Sequence, residues 1–249
     1  EPEPERLDYI IVGGGPAGIM AAYKINEYNP EKKIMLLEED SNTLEDYKNK
    51  GYDNTSNWQS AMNDPSFQNA FQSNNSKTIW LGKGLGGGTL HFGLQYIDQD
   101  NIINKNYSSW KNDFDIVGNI TQAKAYSYPI QNESYDELKN RLDSENNVEL
   151  YNNKIYSTNL NESNRLLLGD LLSNLTNITI KYNVVIDEIV YDVNNSNTVS
   201  HLRCFSNNLY YGRDFIICSG AIQTPAILQR SNIDCGNNLY DHGGFSIVY

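Results

Sequence analysis

Apolar positions are unevenly spread along the 249 residues, and the runs they form predict most of the secondary structure. Leu7 to Val12 is an apolar, β-branched run interrupted only by Asp8, a pattern that suits a buried strand in a parallel sheet. Small and apolar residues at helical spacing follow from Ala17 to Tyr28, and Asn29-Pro30 stops that helix. Lys33 to Glu38 forms a second buried strand ending in acid, which completes a βαβ unit. Polar residues dominate 41–76, where a long excursion over the surface with a short helix at Ser66 to Gln72 is expected. Residues 97–165 are also polar, with an amphipathic helical patch at Tyr135 to Leu142; with 41–76 they are expected to form a lid or cap region. Arg165 to Leu175 reads as a helix, and Ile178 to Val193 carries strand-like alternation. Residues 198–206 and 208–211 form an antiparallel meander, and Arg213 to Cys218 is an apolar strand running into a tight turn and a helix. The expected fold is α/β: a Rossmann-like domain with a parallel sheet and a small antiparallel meander, occupying residues 1–249.

Composition narrows the partners. Nineteen basic against 31 acidic residues give a formal net charge of −12 and a pI near 4.6. No global positive field exists to hold a phosphate backbone, so direct nucleic-acid binding is not expected. The three cysteines, Cys204, Cys218 and Cys235, lack C-x-x-C spacing and indicate neither a disulfide framework nor a zinc cluster. No run approaches the ~18 apolar residues of a membrane span. Asparagine is over-used, at about 35 residues, beside 18 Tyr, which matches AT-rich codon usage.

Chemistry concentrates in the glycines. Gly13-Gly14-Gly15-Pro16-Ala17-Gly18 fits G-x-G-x-x-G between a strand and a helix. There Gly13 permits the tight turn, Gly15 lets a pyrophosphate approach the backbone and Gly18 lets helix and strand pack closely. Glu38, about 20 residues on at the end of the second strand, is placed to accept ribose hydroxyls and argues against a 2′-phosphate. FAD and NAD(H) both remain open at this point. A second loop, Gly82-Lys83-Gly84-Leu85-Gly86-Gly87-Gly88-Thr89, is too glycine-dense for an ordinary strand and suits a backbone that touches a flat or anionic ligand.

With this second loop the sequence resembles the glucose–methanol–choline family of FAD oxidoreductases, whose first signature is G-K-x-L-G-G-[SG]-[ST]. Ser219-Gly220-Ala221-Ile222-Gln223-Thr224-Pro225-Ala226-Ile227-Leu228 is similar to the family's second signature, and Asn238-Leu239-Tyr240-Asp241-His242 to its downstream N-L-x-D-H element. The resemblance implies FAD as cofactor. It assigns Gly13, Gly15 and Gly18 to the pyrophosphate and Glu38 to the adenosine ribose. Gly82, Gly86, Gly87, Gly88 and Thr89 fall on the flavin side, with His91 near the flavin edge. Ile186 matches a position touching adenine, and Ser219, Gly220 and Ala221 lie near the same end. One departure is Phe92, where the family usually carries Asn.

The resemblance also implies what these residues lack. In the family, alcohol oxidation passes hydride to FAD, and a histidine paired with a second His or Asn in the C-terminal half takes the hydroxyl proton. None of His91, His201 and His242 matches that pair. The chain is therefore expected to be the N-terminal, FAD-binding half of an oxidoreductase, truncated and inactive alone, with no catalytic or metal site of its own. A second polypeptide supplying the C-terminal half, and an oligomer or larger assembly, are the expected partners. The alternative is a structural component that keeps the fold with a vestigial flavin. Asn-rich composition with these motifs resembles giant-virus, Mimivirus-type members of the family, which implies a virion; without that resemblance a soluble, cytoplasmic protein is expected.

Overall fold

In a computed structural model, residues 6–54, 56–61, 63–74, 76–91, 95–97, 108–122, 124–125, 140, 155–157 and 164–239 are described. The chain divides into two units, residues 1–92 with 161–239, and residues 93–160 with 240–249. The first unit is built on a six-stranded sheet. Strands β1 (Leu7–Val12), β2 (Ile34–Leu37), β8 (Ile178–Lys181), β9 (Ile186–Asp192), β10 (Asn195–Cys204) and β11 (Leu209–Ile217) lie in the order β8-β2-β1-β11-β10-β9. The first four in that order are parallel, and β10 is antiparallel to both β11 and β9.

Burial on both faces explains the apolar run Tyr9 to Val12 that ends β1. Ile10 and Val12 point into one core with Leu37, Ile186, Leu202 and Ile227, whereas Ile11 points into another with Ile19, Ala22, Leu36 and Leu168. Helix α1 (Pro16–Tyr28) covers the second face through Ile19 and Ala22. A helix at Gly220–Arg230 covers the first through Ile227. The expected βαβ unit is thus present, with the helix ending at Asn29 as the Asn-Pro pair predicts.

Three local expectations give way to tertiary packing. Residues 41–76, polar and exposed at many positions, also carry buried anchors. Helices α2 (Leu44–Asn49) and α3 (Trp58–Ala61) lead to a 3-10 turn at Pro65–Phe67. Tyr47, Ala61 and Phe67 are fully buried there against Leu90 and Leu167, with the Tyr47 and Phe67 rings edge-to-face at 5.2 Å. The helix expected at Ser66 to Gln72 is instead that turn followed by β3 (Gln68–Gln72), because β4 (Thr78–Gly82) pairs with it as an antiparallel hairpin. Arg165 to Leu175 holds only a 3-10 turn, Leu168–Leu172. A Cβ at Gly169 would come 2.5 Å from the Leu44 side chain and 2.9 Å from Leu85, so the segment is shaped by packing rather than by helix propensity. Finally, the separate strands expected at 208–211 and 213–218 are one strand. Gly212 joins them by leaving room for Ile10, whose side chain lies 3.0 Å from where a Cβ would stand.

The second unit holds a three-stranded antiparallel sheet of β5 (Gln95–Ile97), β7 (Ile155–Ser157) and β6 (Lys124–Ala125), in that order, and a helix at Lys111–Ile120. The amphipathic patch expected at Tyr135 to Leu142 lies outside the described residues apart from Asn140, as do Phe92 and Tyr240 to His242. Among the described residues no helix is long and apolar enough to cross a membrane.

Candidate functional site

The two glycine loops, some 70 residues apart in sequence, are bonded to each other at the C-terminal ends of β1 and β2. Gly14 accepts a hydrogen bond from the Gly86 N–H at 2.7 Å, and a Cβ on Gly87 would stand 3.0 Å from the Gly15 Cα. Close approach explains the glycines in the first loop. Gly13 has φ +99°, and a Cβ there would meet the Cys218 carbonyl oxygen at 2.6 Å. Gly18 lies under Gly13, whose carbonyl oxygen would be 2.0 Å from an added Cβ.

Glu38 ties these pieces together. It is 6% exposed and its carboxylate accepts three backbone N–H groups: Gly14 at 2.7 Å, Gly84 at 3.2 Å and Asp40 at 3.2 Å. Burial pushes the carboxyl above the usual carboxylate range, against those three bonds, which favour the ionised form. The native chain therefore holds a proton at pH values where the unfolded chain has released it. This group's stabilisation is present at and below the usual carboxylate range and is lost as pH rises through the native value. The stability of wild type minus that of Glu38→Gln is expected to fall as pH rises out of the carboxylate range; urea unfolding at stepped pH measures it, and a difference that grows with pH would refute the assignment.

Around these loops opens a cavity of about 360 Å³, a size suited to part of a nucleotide cofactor. Its walls include Gly13, Gly15, Glu38, Gly82, Gly87 and Gly88, together with Ile186, Ser219, Gly220 and Ala221. Two helices begin there. Gly15 is the N-cap of α1 and Ser219 that of the Gly220–Arg230 helix; neither offers a side-chain acceptor to the helix N–H groups, the Ser219 hydroxyl donating instead to the Val12 carbonyl at 3.3 Å, and neither first turn carries an acid. Both positive helix ends are therefore left for an anion. At Gly15, Gly88 and Gly220 an added Cβ would meet nothing within 4 Å, so these three glycines of the cavity wall front open space. A diphosphate-bearing, partly flat ligand fits this donor set, and a glycine-lined cradle with two helix N-termini is hard to account for otherwise.

Four of the residues assigned from the sequence stand behind the cavity rather than in its lining. Gly18 packs α1 on β1, Gly86 holds the first loop, and the Thr89 hydroxyl donates to the Gly86 carbonyl at 2.8 Å. His91 turns back under the second loop: its Nδ1 lies 3.0 Å from the Ala61 carbonyl oxygen, and a Cβ on Gly82 would touch its ring at 2.8 Å. Burial holds its pKa down, so the neutral ring with Nδ1–H donating to Ala61 fits this setting.

A clamp on the second loop had no sequence signal. Arg165, 3% exposed, donates from Nη1 to the Tyr47 hydroxyl at 2.8 Å and from Nη2 to the Thr89 carbonyl at 3.0 Å, while Tyr47 donates to the Leu90 carbonyl at 2.9 Å. These bonds fix the backbone just after the glycine run. Lys83, also in the cavity wall, lies 3.5 Å from the buried Asp40 carboxylate. Neither a motif nor periodicity marks Arg165, because its partners are backbone carbonyls and a tyrosine far away in sequence.

No family model matches the sequence, and no curated protein matches it. Solved structures do. Pyridoxine 4-oxidase from Mesorbium loti superposes with a TM-score of 0.65 at 16% identity, over 92% of this chain and 52% of its own. This is the fold of half an oxidase chain. A formate oxidase variant from Aspergillus oryzae RIB40, solved to follow FAD modification, gives a TM-score of 0.61 at 16% identity over 94% of this chain and 48% of its own. Another formate oxidase structure gives 0.55 at 16% identity, over 93% and 48%. The chain spans about half the length of the solved structures it matches.

Proposed function

We propose that this chain is the FAD-binding half of an oxidoreductase of the glucose–methanol–choline type. The observation that carries the proposal is the cradle of two mutually bonded glycine loops and two helix N-termini without side-chain caps around one cavity. The motif resemblance and the fold shared with pyridoxine 4-oxidase and formate oxidase support the same reading. In it, the N-terminus of α1 at Gly15 and the start of the Gly220–Arg230 helix hold the diphosphate, and Glu38 accepts a ribose hydroxyl on an oxygen lone pair its N–H partners leave open. Gly82, Gly87 and Gly88 give the flat ring a wall without side chains. Bound FAD would supply a hydride acceptor. The chain's own residues bind it, orient it and carry it on a rigid parallel sheet.

Oxidation of an alcohol also needs a base within hydrogen-bond reach of the hydroxyl proton. The family's histidine pair for that task has no match in these 249 residues, and a further segment or a second polypeptide would supply it. The test is a visible absorbance spectrum of the purified chain after reconstitution with FAD, followed by exposure to alcohols. Stoichiometric flavin without alcohol-dependent bleaching is expected. Bleaching by the 249 residues alone would refute the division of labour, and failure to retain FAD would favour a structural component with a vestigial cofactor site.

A further inference from the structure

We infer that Trp80 is the platform on which the adenine of the bound dinucleotide stacks, an inference that rests on the dinucleotide reading above. Trp80 is 61% exposed and yet lies in the cavity wall, as does Val185 at 41%. Large apolar side chains left in water at the mouth of a cavity mark a surface that a ligand covers.

Its placement is fixed by the β3–β4 hairpin. Trp80 is paired with Ala70, a cross-strand neighbour whose single methyl leaves the indole face uncovered. Gly82, two residues on and so on the same face of the strand, contributes backbone to the same cavity. The hairpin is also tied to the end of β2, since the Asn69 amide donates to the Glu39 carboxylate at 2.9 Å. Glu39 follows Glu38, the residue placed for the adenosine ribose, and Val184, Val185 and Ile186 line the cavity with them. The indole is thereby held at the end where the ribose carries its base. Asn69 and Glu39 hold each other in the cavity wall, and the exposed indole beside them offers the ring a flat apolar face. Stacking of a base on an aromatic side chain is worth about 1–3 kcal/mol, or between about five-fold and about a hundred-fold in affinity.

Calorimetric titration of the 249-residue chain with ADP, FMN and FAD as separate probes tests this, with Trp80→Ala and Trp80→Phe as variants. Trp80→Ala is expected to weaken ADP and FAD by about five- to a hundred-fold and to leave FMN unchanged. Trp80→Phe should keep most of the affinity, and thermal melts of both should match wild type because the indole is exposed. Unchanged ADP affinity in Trp80→Ala, or a loss confined to FMN, overturns the assignment. If wild type binds neither ADP nor FAD, the dinucleotide reading itself fails and this inference falls with it.

Discussion

Gly15→Asp is expected to abolish dinucleotide binding while leaving the protein as stable as before, or slightly more so. Gly15 caps α1 with φ −74° and ψ −178°, extended backbone that any residue adopts, and an added Cβ meets nothing within 4 Å. Aspartate is among the preferred N-cap residues, and its charge at the positive helix end gains about 0.3–1 kcal/mol. The same carboxylate would stand where a diphosphate must sit. Two unit charges about 4 Å apart at an effective dielectric of about 20 repel by about 4 kcal/mol, so affinity should fall by at least ~100-fold. ADP titration beside a thermal melt reads both effects. Retained affinity would show that no anion binds at this helix end. Gly15→Ala, with a methyl and no charge, should fall between the two.

The neighbouring substitution Gly18→Ala should do the reverse and damage the fold itself. Its Cβ would stand 2.0 Å from the Gly13 carbonyl oxygen and 3.3 Å from the Ile11 side chain. The first of these is backbone, and Gly13 is already held at φ +99°. Relief requires α1 to lift from β1, which opens the core that Ile19 and Ala22 close. A loss of about 3 kcal/mol is expected, a large part of the 5–15 kcal/mol typical of a domain. A urea midpoint unchanged from wild type would refute this account of the strand–helix contact. Together the two substitutions separate the glycine that fronts the ligand from the glycine that lets the elements touch.

The difference between those glycines also marks what was legible in the sequence. β1, α1 and β2 could be read because their signals are local: an apolar run, a glycine turn, a helical stripe and an Asn-Pro stop. The position of the site at the end of β1 follows from the same residues, since a Rossmann turn puts an anion there whatever the rest of the chain does. What could not be read depends on distant partners. Gln68–Gln72 has no strong strand pattern and is extended because Thr78–Gly82 pairs with it. Gly212 looks like a break between strands until Ile10 is seen against it. Arg165 and Tyr47 come together across more than a hundred residues. Within the second glycine run, spacing shows that the backbone must come close to something. It does not tell Gly88, which faces the cavity, from Gly86, which faces Gly14.

The cavity wall is assembled from stretches near residues 12–17, 37–39, 80–88, 184–186 and 218–227, spread over most of the first unit's chain length. A ligand bound there is therefore a cross-link between segments far apart in sequence, which only the closure of long loops brings together. Its binding energy goes to the whole folded unit rather than to one loop, and at a hundred times its dissociation constant it adds about 2.7 kcal/mol to unfolding. The cofactor, on this view, is the last structural element of the unit, and a chain deprived of it loses a staple as well as a chemical group.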